Sequence, residues 1–179
     1  IAGKHDTLHI FVNHWPSRIG GVDETEQKRI VAARTLKNQI EDIRENNPGA
    51  KIIIMGDMND EPKNKSLRNI LGATNKKKAG EDKLYNLMYD NQLQGKGSYN
   101  YQDEWYMLDN LIVSYSLLES DTGYTCNYDA GHIYNPEWLR YYPGTGEFVP
   151  DRTYGGSNYY GGISDHFPVY ATLTKAKNE

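Results

Sequence analysis

The chain has 179 residues, a formal net charge of −4, 37% hydrophobic and 25% charged residues, and one cysteine, Cys126. That length suffices for one domain with a sizeable core, and a lone cysteine excludes an internal disulfide framework or a multi-cysteine metal site. The acidic balance argues modestly against a strongly electrostatic nucleic-acid binder, and no apolar run approaches the roughly 20 residues that span a bilayer.

Leu8–Asn13 reads as a strand, apolar on both faces apart from His9 and Asn13, and such strands sit inside a layered structure. Asp23 reads as the start of a helix, with Glu26 three residues on as a capping box. Ile30, Ala33, Leu36, Ile40 and Ile43 then recur at three or four residues and mark one buried face. Asn46-Asn47-Pro48-Gly49 stops the helix, and Lys51–Gly56 follows as a buried strand. A strand–helix–strand order with a crossover of this length implies a parallel α/β unit. Beyond it, the sequence predicts short helices over Lys63–Leu71 and Leu84–Tyr89, a solvated turn at Lys76–Lys78, and strands over Ser98–Tyr101 and Leu111–Tyr115. Gly123–Gly162 has no sustained period and reads as a long loop with short strands, and Phe167–Leu173 as a last strand. No repeat or linker divides the chain. Fifteen tyrosines against three phenylalanines suit wet surfaces or polar ligands better than an apolar core, and lean towards an exported protein.

Four segments bring polar groups to predicted strand ends. In Asn13-His14-Trp15-Pro16-Ser17-Arg18 the strand finishes and Pro16 forces an exit. Taken singly, His14 reads first as a capping histidine and Arg18 as a solvated charge. In Gly56-Asp57-Met58-Asn59-Asp60 an extended chain puts Asp57 and Asn59 on one face, just past the carboxyl end of a buried strand, where ligand sites of α/β sheets lie. A carboxylate there orients or deprotonates water and an amide holds a phosphoryl oxygen; an Asx turn is the structural alternative. A calcium loop fits poorly, since the glycine and closing glutamate it needs would fall on Pro62 and Arg68. Asp109 directly precedes an apolar strand and alone reads as a turn residue. In Ser164-Asp165-His166-Phe167, adjacent side chains on a strand address opposite faces, so Asp165 and His166 serve different partners. Sequence neighbours cannot relay protons as a serine-hydrolase triad, and no Gly-x-Ser-x-Gly elbow, His-Glu-x-x-His or Gly-rich phosphate loop occurs.

Together, and in this order, the four segments resemble the endonuclease/exonuclease/phosphatase superfamily with its deoxyribonuclease I-like fold, over Leu8 to Leu173. The resemblance implies an α/β fold, part of a four-layer sandwich of two packed mixed sheets flanked by helices. It also implies a divalent-metal-dependent phosphoester hydrolase acting on a small or lipid-derived phosphate ester, with an endonuclease or exonuclease acting on nucleic acid as runner-up. A non-catalytic carbohydrate-binding module or an inert half-domain is the reading from another class. By the same resemblance Asp165 ligates one of one or two Mg2+ or Mn2+ ions. His166, oriented by Asp109, faces the scissile phosphate with His14; Asp57 aligns or deprotonates water, and Asn59 holds a phosphoryl oxygen. Arg18, Trp105 and Arg152 are candidate substrate contacts. The family's principal metal-binding glutamate has no counterpart before His14, where Asp6 is the only acid. The chain is therefore expected to be the carboxyl-terminal portion of a longer phosphoesterase domain, inactive alone and partnered by the missing amino-terminal half.

Overall fold

The computed structural model describes residues 6–80, 82–144 and 146–176. Strand β1 (Leu8–His14) lies parallel to β2 (Lys51–Asp57), and helix α1 (Val22–Asn46) makes the crossover between them. Ile30, Ala33, Leu36 and Ile40 form the buried stripe of α1, and the last three pack with Ile52, Ile54, Leu67, Leu71 and Ile112 on one face of the sheet. The helix starts one residue earlier than its sequence suggests and has no side-chain cap. Gly21, at φ 121°, supplies the entry conformation, and its carbonyl accepts from the Thr25 amide and hydroxyl. The expected capping box is therefore not formed; Asp23 and Glu24 lie in the first turn, where negative charge suits the helix dipole.

The sheet continues antiparallel from β2 to β7 (Asp109–Ser114) and from β7 to β4 (Leu84–Asn86), and ends parallel at β3 (Ala73–Thr74). Its order is β1-β2-β7-β4-β3. The helix expected over Leu84–Tyr89 is instead β4 followed by the short helix α2 (Tyr89–Leu93): Leu84 to Asn86 are all buried, and the ladder with β7 outweighs local helix propensity. A short π-type helix (Ser66–Leu71) occupies the predicted 63–71 segment, and Lys76–Lys78 is exposed as expected.

On the other face, Tyr85, Leu87, Met107, Leu111 and Val113 form a second core with Cys126, Ala130, Val169 and Leu173. The last two lie on two short strands, β14 (Val169–Tyr170) and β15 (Leu173–Lys175), rather than on one continuous strand. They pair with β9 (His132–Ile133) and β8 (Tyr124–Cys126) of the long tyrosine-rich segment. This second core covers the β7–β4 half of the sheet. The β1 end is open: Ile10 is 55% and Val12 78% exposed, so β1 is not the interior strand its composition suggests. Tyr101, Tyr141, Tyr154, Tyr159 and Tyr160 are also exposed, in keeping with tyrosine as a residue of wet surfaces. No described helix is long and apolar enough to cross a membrane.

Candidate active site at the sheet edge

Strand register builds the site. His14 pairs with Asp57 across β1 and β2, and Asp57 with Asp109 across β2 and β7. Because directly paired residues share a face, one imidazole and two carboxylates line one edge of the sheet. His14 Nε2 lies 3.6 Å from Asp57 Oδ2, with the His14 side chain exposed and that of Asp57 largely covered. Gly56 makes this approach feasible. It sits at φ 126° opposite Asn13, and a Cβ there would collide with the Asn13 carbonyl oxygen. Trp15, buried just past β1, locks the same end: its amide donates to the Asp57 carbonyl at 2.9 Å.

After Asp57 the chain turns rather than staying extended. Asn59 takes a left-handed conformation (φ 49°), and its amide donates to Asp57 Oδ1 at 2.8 Å, an Asx turn. The turn nevertheless brings the two side chains together: Asn59 Nδ2 donates to Asp57 Oδ2 at 3.2 Å and to the Trp15 carbonyl at 3.0 Å. Both amide donors of Asn59 therefore hold protein groups. Asp60, the next acid, is buried beneath the turn. Its Oδ1 lies 2.8 Å from Arg29 Nε and 3.6 Å from Arg18, and its Oδ2 accepts from Ser66 at 2.6 Å. Arg18 also donates to the Asn59 carbonyl at 2.7 Å and to Asn64. Arg18 is thus not the solvated charge its sequence context suggests; its guanidinium braces the Asx turn through Asn59, Asn64 and Asp60.

His166 comes to the edge from the far end of the chain. Its segment makes a β-bridge to Tyr99 of β5 (Tyr99–Tyr101), whose ring packs on the imidazole at 4.8 Å. His166 Nδ1 lies 2.5 Å from Asp109 Oδ2, and the same oxygen accepts from the Ser98 hydroxyl at 2.6 Å. With Nδ1 engaged, Nε2 is the free nitrogen. Burial alone would hold the imidazole pKa down, but the Asp109 hydrogen bond and the charges of Asp109, Asp57 and Asp165 outweigh it and raise it above the ordinary value. Burial likewise raises the Asp57 carboxyl above the usual range, against the pull of the Asn59 amide, His166 and His14; the Asp109 charge adds to the rise. A largely covered carboxylate and an imidazole, each raised and each acting on the other through its charge, are the kind of pair that acid–base chemistry uses.

Three supporting residues escape a reading by motif. Ser98 fixes the Asp109 carboxylate. Asn110, fully buried, donates to the carbonyls of Asp60, Leu108 and Met107 while accepting from Asn86. It thereby ties the loop after Asp57 to the loop before Asp109. Asp60 anchors the Asx turn to α1 through Arg29. The one sequence signal for any of them is an amide or acid inside an apolar context, which has to find a partner when buried.

Asp165 is exposed and contributes charge to His166 and Tyr99. Among the described residues no three His, Cys, Asp or Glu side chains converge to hold a metal ion, so the donor set present does not by itself fit Mg2+ or Mn2+. Arg152 is half-buried on the loop beside Tyr99 and reaches the Asn100 carbonyl at 3.4 Å. The Asp151 carbonyl pins this stretch to the 163–164 amides at 2.7 and 3.0 Å. The Trp105 indole stacks on Phe167, the residue after His166.

The structure is thus a mixed α/β fold whose strand ends present two imidazoles and two carboxylates along one edge. The sequence model of the Endonuclease/Exonuclease/phosphatase family matches residues 2–175, and the chain belongs to that family. Among solved structures, a mannosyl-6-phosphatase of Bacteroides thetaiotaomicron VPI-5482 is similar with a TM-score of 0.51 at 15% identity, over 92% of this chain and 50% of that one. An endonuclease/exonuclease/phosphatase family protein of Bacteroides thetaiotaomicron gives a TM-score of 0.45 at 16% identity, over 92% and 47% of the two chains. The chain spans about half the length of the solved structures it matches. No match was found among curated proteins.

Proposed function

We propose that the protein hydrolyses phosphate esters at the sheet edge, on a small or lipid-derived substrate. The observation that carries this reading is the register row His14–Asp57–Asp109 with His166 seated on Asp109 at 2.5 Å. Asp57, held by the backbone and side-chain amides of Asn59, aligns an attacking water and accepts its proton, and its raised basicity suits that task. His166, whose protonated form Asp109 favours, offers Nε2–H to the phosphoryl oxygens, where charge accumulates as the ester bond breaks. His14, exposed beside Asp57, is the second imidazole at the phosphate. Asn59 acts mainly by positioning Asp57. Arg152, on the loop beside Tyr99, meets a second anionic group of the substrate in this reading.

A divalent ion at Asp165 needs ligands beyond those in this cluster. We propose that they lie in a further part of the domain, the layer that would cover Ile10 and Val12 and complete a four-layer sandwich. The test is a panel of phosphomonoesters, including a sugar phosphate, with phosphodiesters and DNA, assayed on the full-length protein with magnesium and with EDTA. Turnover of small esters that EDTA removes and magnesium restores is expected. Preference for DNA would favour a nuclease, and absence of turnover on every substrate would end the enzyme reading.

A further inference from the structure

A cleft of about 540 Å3 shares two chain segments with the strand-end cluster but none of its acids or imidazoles. Ser98 bonds Asp109, and its neighbour Gly97 lines the cleft; His166 seats on Asp109, and its neighbour Phe167 lines the cleft. The two sites therefore stand back to back. The volume falls within the roughly 300–1,000 Å3 of small-molecule sites.

Three features define what the cleft suits. The first is an aromatic platform: the Trp105 indole stacks on Phe167 with centroids 5.8 Å apart and planes 21° from parallel, and Phe148, 54% exposed, stands nearby. The second is a rim of uncommitted planar polar groups. The side-chain amides of Gln94 and Asn135 are exposed and make no hydrogen bond among the described residues, while Glu147 holds Trp105 Nε1 at 3.1 Å through one carboxylate oxygen. Each amide offers donors and acceptors together, which is what a hydroxyl group needs from its partners. The third is charge balance: Lys96 offsets Glu147 at the same cleft, and the other titratable ring in its lining, His132, packs on Tyr170 at 5.2 Å. A phosphate or a nucleic-acid backbone would meet no net positive field there. An apolar ring face above a rim of paired donors and acceptors, without net charge, matches a hexopyranose. Such a ring presents C–H groups on one face and hydroxyls around its edge.

We infer that this cleft binds a neutral saccharide, with one hexose ring on the Trp105 platform and its hydroxyls bonded by Gln94, Asn135 and Glu147. The site is independent of the phosphoester reading and stands or falls without it. Isothermal titration calorimetry of the full-length protein with mannose, glucose, mannobiose and cellobiose, free of phosphate and divalent ions, tests it. Saturable binding of at least one is expected, weakened about tenfold or more by Trp105→Ala. The paired substitution Gln94→Ala with Asn135→Ala should weaken it as well, and it alters exposed side chains with no bond to the fold. His166→Ala should bind the sugar as the parent protein does. No saturable heat from any of the four sugars would overturn the inference. So would parental affinity in either cleft variant, or loss of binding in the folded His166→Ala protein.

Discussion

Asn59 turns its backbone through a left-handed conformation and spends both amide donors on Asp57 and Trp15, so the neighbourhood of one carboxylate depends on a single turn residue. His166 shows the complementary case, in which one hydrogen bond, to Asp109, works against burial to raise an imidazole. A raised histidine stabilises the fold fully below its unfolded pKa, and that contribution is lost as pH rises through the folded one. Asp109→Asn should therefore lower the His166 titration midpoint followed by NMR in metal-free protein. It should also cost melting temperature most where Asp109 is charged and His166 protonated, with the deficit shrinking at alkaline pH. An unchanged imidazole titration would show that Asp109 does not set the charge of His166. At Asp60 the weight is structural. Burial raises its carboxyl while Ser66, Arg29 and Arg18 draw it down, and Arg29 is fully buried. Asp60→Ala leaves that guanidinium without its acid and should cost about 3–5 kcal/mol in chemical denaturation.

The strand pair β1 and β2 with crossover helix α1 is legible in the sequence because two short apolar runs flank one strong helical periodicity and the stop signal, Asn46 to Gly49, is unambiguous. The motif residues at the strand ends were legible too, since each lies next to an apolar run. The elements that failed are those in which tertiary pairing overrides local preference: β4 was read as helix, and the helix start was placed at Asp23 because nothing local reports that Gly21 supplies the turn. Arg18 was misread for a related reason, as its partners Asn59, Asn64 and Asp60 lie more than forty positions away. Asn110 is the least legible of all, an amide in the middle of a buried strand that joins two loops. Its replacement by alanine removes three donations to buried carbonyls. Such a loss should cost about 1–3 kcal/mol of stability. Hydrolysis should fall as well, because the loops carrying Asp57 and Asp109 lose their common tie; a stable, fully active Asn110→Ala protein would contradict this.

Across the whole molecule the sheet is covered on one face by α1 and on the other by the β8, β9, β14 and β15 ribbons, except at β1, where Ile10 and Val12 stand open beside His14. In the proposed reading, a further layer over Ile10 and Val12 completes the site and supplies the cation ligands that the described residues do not bring together. No spacing in the sequence discloses how the long tyrosine-rich segment folds back, since its ladders are only two or three residues long and carry no periodic signature. The Asp57 carboxyl links fold to function, because burial raises it. A carboxyl raised by folding confers stability below its unfolded pKa and loses it as pH rises through the folded one. At neutral pH its charge therefore costs stability, and a neutral isostere should recover it. The most direct measurement is the hydrolysis rate of a small phosphate ester by the full-length Asp57→Asn protein, with its melting temperature read on the same sample at neutral pH. A fall of about a hundredfold or more in rate with a higher melting temperature is expected. Hydrolysis at the parental rate would contradict the assignment of Asp57, and with it the proposed reaction at the sheet edge.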